Sequence, residues 1–493
     1  MGAQSLVAGL AIIGIVIVVS ALLSGLIDKT GLPQVALFIC IGAALGPSGL
    51  NVFDMTLDSP VLRVVATLSL TLVLFTDAVT LNTKEIRGNA GLAFRMLGPG
   101  TIVCAALTAL AAWWLLQVPP ASAAILGAAL ASTDPVLLRG LLRRRDISSE
   151  TRQALQLESG LNDVVLLPIV VVAIALTGYG QATSGGFAKL GFGLFILGPG
   201  AGIAIGLIGV AALDLIRKRT GVRRDYESLY SLGIAFSAYA AAEAVHGSGF
   251  LAAFAAGLTI AALDVELCDC FIEYGGVTAE MLLLFTFVIF GSSLIWTGFS
   301  GLNAATVIFA IVAVLVRVPV YLVSMLGSNV DRRGRWLIAW YGPSGLSSLL
   351  LVLLPVFVGV PGSDRLFRVC ALIVLISVVI HGFSPMLLTR IGRKRETEEE
   401  PAGPEPLPES RSLPVIEATQ PQPVGAQTIT LEEFDRLQKS DERVVMLDVR
   451  TERSRDTSDF QAAGSIRMPP ENVVQQAREL NLPKDAWLIA YCA

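Results

Sequence analysis

Of the 493 residues, 54% are hydrophobic and 15% charged. A soluble chain carries about 25% charged residues, so a wholly water-soluble globule is excluded. The formal net charge of −4 hides an uneven layout, because residues 1–390 are mostly apolar and 396–493 polar. That layout predicts a large membrane domain followed by a small soluble one, with no basic surface suited to nucleic acid.

The first apolar run, LVAGLAIIGIVIVVSALLSGL, has no basic residue before it and no clean cleavage site after it, so it reads as a first span and not a removable signal peptide. A span needs roughly 20 mostly apolar residues. By that measure thirteen are expected, near 5–27, 31–49, 60–82, 94–117, 121–142, 151–178, 188–216, 227–246, 248–263, 276–298, 303–326, 335–359 and 366–391. Basic residues concentrate in alternate loops, at Lys29, at Lys84, Arg87 and Arg95, at Arg143, Arg144, Arg145 and Arg152, at Arg217, Lys218, Arg219, Arg223 and Arg224, and at Arg332, Arg333 and Arg335. The other loops hold little beyond Lys189 and Arg365. Lys and Arg mark the cytoplasmic side, which puts the N-terminus outside and the tail after Arg395 inside. One loop resists the pattern, since residues 264–275 carry Asp264, Glu266, Asp269 and Glu273 and no base.

Three regions are therefore expected: a membrane domain at 1–391, a Pro/Glu-rich linker at 392–427, and a soluble module at 428–493. The linker composition cannot bury a core. In the module, Thr430 and Glu433 have capping-box spacing, and RVVMLDVR reads as a strand. The six cysteines, Cys40, Cys104, Cys268, Cys270, Cys370 and Cys492, form neither a disulfide framework nor a zinc pattern and read mostly as core residues. No cofactor is expected.

Each ionisable residue inside a span costs roughly 2.5–3.5 kcal/mol at the bilayer centre and needs a reason. Four stand out: Asp134, Glu158, Asp163 and Arg317. Asp134 precedes Pro135 in AALASTDPVLLRG, where the missing backbone donor interrupts the fifth span. WYGPSGLSSLLL interrupts the twelfth, through Gly342, Pro343 and Gly345. Two broken spans at corresponding places in two halves point to an inverted-repeat secondary transporter with its site between the breaks. On the sixth span, Ser159 and Asp163 are four residues apart and share a helix face, as do Glu158 and Asn162 on a neighbouring strip. A hydroxyl and a carboxylate on one stripe suit a hard cation or a proton. Arg317 cannot shed its charge and needs an acid, for which Glu158 is the preferred partner. That pair reads as an ion pair that fixes packing, whereas Asp163 remains for ion binding.

These residues resemble the NhaP-type sodium/proton antiporters of the monovalent cation:proton antiporter-1 family. The likeness runs through LGPSGL at 45–50, STDP at 132–135, ESGLND at 158–163, AEAVHGSGFLAAFAAGL at 242–258, Arg317 and GPSGLSS at 342–348. It implies an all-α polytopic fold of thirteen spans with two interrupted crossing helices, a homodimer in a lipid bilayer (a bacterial inner membrane), and elevator-like alternating access. It implies Na+ or K+ and H+ as transported ions, with cation and proton binding at Asp163, supporting roles for Asn162, Ser159, Thr133 and Asp134, and a Glu158–Arg317 ion pair. Asp77 either matches an acidic ligand of some members or is an interfacial polar residue. Asn162, standing where electrogenic relatives have a second Asp, implies electroneutral exchange. Many relatives have Arg where this chain has Ser344, which leaves pH dependence and gating open. Neither His246 nor His381 reads as a pH sensor.

The tail resembles a small α/β rhodanese-like domain through VVMLDVR, GSIRMPP and LPKDAWLIAYCA. By position its catalytic cysteine would be Cys492, one residue from the end, and Gly464 and Ser465 stand where a His is usual. The domain reads as either a fragment or degenerate, a cytosolic regulatory or residual module without sulfur transfer, so the chain is not expected to act as an enzyme. The alternatives are a membrane-tethered sulfurtransferase and a cation channel.

Overall fold

The computed structural model describes residues 33–52, 54–81, 90–142, 147–178, 184–219, 224–263, 276–328, 330–398, 444–449, 465–468, 480 and 487–491, with single helical positions at 14, 18 and 22. Most of the first predicted span, the acidic loop 264–275, the Thr430–Glu433 cap, Gly464, Cys268, Cys270 and Cys492 lie outside the described residues. The chain divides into two compact units, Met1–Ala402 and Gly403–Ala493.

Among its described residues the first unit is built from helices, with no strand. In chain order its helices are α1 (Gln34–Leu45), α2 (Pro60–Thr80) and α3 (Ala90–Arg95, the π-helical Met96–Ile102 and Val103–Leu116). Next come α4 (Pro120–Ala131), α5 (Pro135–Leu142), α6 (Ser149–Gly178) and α7 (Ser184–Phe192, the π-helical Gly193–Leu197 and Gly198–Arg219). They are followed by α8 (Arg224–Ala244), α9 (Gly249–Leu263) and α10 (Gly276–Ile289), the last continuing through Phe290–Leu294 and Ile295–Gly301. The remainder are α11 (Ala304–Leu315, then Arg317–Ser324), α12 (Arg332–Trp340), α13 (Leu346–Val358) and α14 (Ser363–Glu398).

Among the described residues eight helices are long and apolar enough to cross a membrane, and α1, α9 and α13 are shorter apolar helices. Prolines set several boundaries. Pro60, Pro120 and Pro135 each open a helix, where the missing N–H costs nothing. Pro99 sits inside α3, and the widened π turn around it absorbs the lost hydrogen bond. Residues 392–398 continue α14 as helix; the stretch IGRKRETE is rich in good helix formers, and Pro401 follows it.

Two buried apolar clusters organise the packing. The smaller joins α2, α7, α8 and α9 around Phe75, Leu213, Ile234 and Ile260. The larger joins α4, α6, α13 and α14 with their neighbours around Leu126, Leu166, Leu351 and Val374. Backbones approach closely where α1 meets α10 and its π segment. A Cβ added at Gly42 would collide with the Val288 carbonyl and the Gly291 backbone, and one at Gly291 with Ile39.

The second unit contains a three-stranded parallel sheet of order β2-β1-β3, built from β1 (Val444–Asp448), β2 (Ile466–Arg467) and β3 (Trp487–Tyr491). Parallel strands need crossovers between them, as in an α/β module.

Candidate functional site

Both predicted interruptions are present. Residues 132–134 between α4 and α5 are non-helical, and so are 341–345 between α12 and α13. The two non-helical stretches cross and lace together. Asp134 donates its backbone N–H to the Pro343 carbonyl at 2.8 Å, Ser344 Oγ donates to the Leu130 carbonyl at 3.0 Å, and Ser348 Oγ to the Ser132 carbonyl at 3.3 Å. The Asp134 carboxylate spans both breaks: Oδ1 accepts from Val136 N at 2.8 Å and Oδ2 from Leu346 N at 2.7 Å. One acid thus caps the first turns of α5 and α13, where backbone donors and helix dipole both favour negative charge. Gly345 is required at this point, because a Cβ there would overlap the Asp134 carboxylate.

Asp163 lies on α6 beside the crossing, 2% exposed. Its Oδ1 accepts from Ser132 Oγ at 2.5 Å. The Ser347 hydroxyl lies alongside, yet Oδ2 is buried without a well-formed hydrogen bond of its own. Nearly all buried polar oxygens are satisfied in native proteins, and a carboxylate oxygen inside a helical bundle can accept a proton or coordinate a cation.

Glu158, five residues earlier on α6 and fully buried, is saturated instead. Oε2 accepts from Arg317 Nη2 at 2.9 Å, and Oε1 accepts from Arg317 Nη1 at 3.0 Å, Thr133 Oγ1 at 3.0 Å and the Tyr321 hydroxyl at 3.1 Å. Thr133 in turn accepts from Asn162 Nδ2. The amide oxygen of Asn162 is buried and without a hydrogen bond.

Sequence-predicted residues therefore separate into three groups. Asp163 is at the crossing; Asn162 donates to Thr133, which in turn donates to Glu158 of the ion pair; Asp134 holds the helix breaks. Ser159 bonds back to the Gln156 carbonyl at 3.4 Å. It also lines a cavity of about 320 Å³ together with Asp77, Asp134, Ser347 and Gln153. That cavity extends to Leu142 and Gln153, where α5 ends and α6 begins; Asp163 is not among its walls and is buried next to them. His381 is buried, with Nδ1 3.2 Å from the Ser377 hydroxyl, and its ring lies near those of Trp340 and Tyr341. Three participants were not singled out from sequence: Ser132, Ser347 and Tyr321. Ser132 was visible inside STDP next to Thr133, and Tyr321 stands four residues after Arg317 on the same helical face, a spacing that could have flagged it.

Residues 15–389 match the family model described as "Sodium/hydrogen exchanger, transmembrane". The chain is 27% identical over 405 residues to the K(+)/H(+) antiporter NhaP2 of Shewanella sp. (strain MR-4), covering 80% of this chain and 67% of that one. It is 25% identical over 386 residues to the K(+)/H(+) antiporter NhaP of Alkalimonas amylolytica, covering 76% and 65%. Its fold is similar to that of the sodium proton antiporter MjNhaP1 from Methanocaldococcus jannaschii, with a TM-score of 0.63 at 18% identity over 78% of this chain and 99% of that one. With three quarters of its length matched and its broken helices crossing at a buried carboxylate, the chain belongs to the sodium/hydrogen exchanger family as an NhaP-type, multi-pass membrane antiporter.

Proposed function

We propose that the protein exchanges a monovalent cation, Na+ or K+, for a proton by alternating access around Asp163. The observation that carries this reading is the open Oδ2 of a buried carboxylate at the crossing of two helix breaks. A cation and a proton compete for that oxygen, and competition for one group couples their movements. On this reading Asp134 holds the breaks, Asn162 and Thr133 brace the site, and Ser159 meets the ion from the cavity; the bonds of Asp134 and Thr133 support these roles. Exchange is electroneutral on this reading, because the Asn162 amide carries no charge, Glu158 is neutralised by Arg317 and both Asp134 oxygens are held by backbone donors, which leaves Asp163 to change occupant.

We further propose thirteen spans, a homodimer, an N-terminus outside and a cytoplasmic tail in a bacterial inner membrane. The regions are 1–391 for transport, 392–427 as linker and 428–493 as a rhodanese-like module without sulfur transfer. The parallel β2-β1-β3 sheet is compatible with such a module. The test is a dye-based exchange assay in proteoliposomes over a panel of alkali cations. Cation-driven proton movement that saturates with Na+ or K+ and generates no membrane potential is expected; currents in its place would indicate a channel.

A further inference from the structure

Tyr321 is fully buried on α11, and its single hydroxyl sits between two partners, Glu158 Oε1 and Thr101 Oγ1, each at 3.1 Å. A carboxylate paired with a guanidinium can only accept, so the phenol proton is directed at Glu158. The phenol oxygen then accepts from Thr101, whose one proton is shared with the Met96 carbonyl, also at 3.1 Å. Thr101 lies in the π-helical turn of α3 around Pro99, and Gly100 beside it lets the ring approach: a Cβ there would stand 3.3 Å from the ring carbons. The same ring lies under the Arg317 guanidinium, 3.9 Å from Cζ to ring centroid. One side chain, a turn beyond Arg317 on the same helix, therefore touches both members of the ion pair.

The consequence concerns orientation. Two bonds from Arg317 settle the plane of the Glu158 carboxylate, and its Oε1 is the acceptor on which Thr133 and, through Thr133, Asn162 are hung. Asn162 adjoins Asp163 in the chain, and Thr133 adjoins Ser132, the donor to Asp163. A shift of Oε1 thus moves both neighbours of the ion-binding carboxylate. We infer that Tyr321 is a positioning residue for cation binding: its hydroxyl, backed by Thr101, fixes Glu158 Oε1 as the anchor of the Thr133–Asn162 relay. This rests on the antiport reading proposed above.

The test is proteoliposome exchange by the full chain, wild type against Tyr321→Phe, which keeps the ring over Arg317 and removes only the hydroxyl. The apparent cation KM is expected to rise about tenfold, the scale of losing a hydrogen bond to a charged group, with maximal rate within about twofold. Tyr321→Phe and Thr133→Val combined are expected to raise KM by less than the product of their separate effects, because both act through Oε1. An unchanged KM in Tyr321→Phe, whether or not its thermal midpoint falls, overturns the inference. Should that variant not fold, Thr101→Val decides in the same way: a higher KM at unchanged maximal rate supports it, and an unchanged KM overturns it. No exchange by the wild-type chain with any alkali cation would instead reject the antiport reading itself.

Discussion

Arg317 grips Glu158 with both terminal nitrogens, Nη1 to Oε1 at 3.0 Å and Nη2 to Oε2 at 2.9 Å, while Nη2 also donates to the Ile338 carbonyl at 3.1 Å. The two side chains are 7% and 0% exposed. Taking two ions out of water is offset only when geometry is good and the remaining oxygens are satisfied, and here Thr133 and Tyr321 complete the shell.

Removing one partner strands the other. Arg317→Ala is expected to lower stability by roughly 3–5 kcal/mol, seen as a lower thermal midpoint and poorer yield in detergent. Arg317→Lys should recover little, since a point ammonium cannot make the two-pronged contact. A wild-type midpoint for Arg317→Ala would contradict the pairing.

For Asp163 the expected outcome is opposite. Asp163→Asn keeps the shape and an acceptor for Ser132, so the fold survives, yet it offers no carboxylate to either ion. Exchange should fall to background while the melting temperature stays within a few degrees of wild type. Residual exchange at wild-type rate would remove Asp163 from the mechanism.

Asp134 presents a third case, because each carboxylate oxygen caps a different helix. Losing a helix cap costs about 1 kcal/mol, so Asp134→Ala is expected to destabilise by roughly 2 kcal/mol and Asp134→Asn by less. Gly345→Ala should reproduce the defect by steric means, since its Cβ would occupy the Asp134 carboxylate. Thermal unfolding of the three variants compares these effects directly.

Competition for one carboxylate also has a signature in pH. Where protons dominate, each unit of rising pH on the cation side should lower the apparent cation KM by up to about tenfold, as expected when one proton is displaced. Initial exchange rates measured over a pH series provide the slope, and a KM independent of pH throughout would contradict a shared site.

Much of this protein is legible along the chain. Apolar length implies spans, Pro135 and the Gly342-Pro343-Ser344-Gly345 run mark the two breaks, and a lone arginine in an apolar run demands an acid. These inferences follow from local chemistry, because bilayer and backbone impose the same requirement wherever the residues lie. Partner choice was not local. Asp134 reads as a ligand candidate by position, but Leu346, 212 positions away, takes one of its oxygens. Thr133 turns to Glu158, and Tyr321 reaches a carboxylate 163 positions earlier. Only the crossing of α4–α5 over α12–α13 decides which oxygens are consumed by donors and which, Asp163 Oδ2 and Asn162 Oδ1 among them, are not, since a hydrogen bond is a contact in space and the sequence records only order.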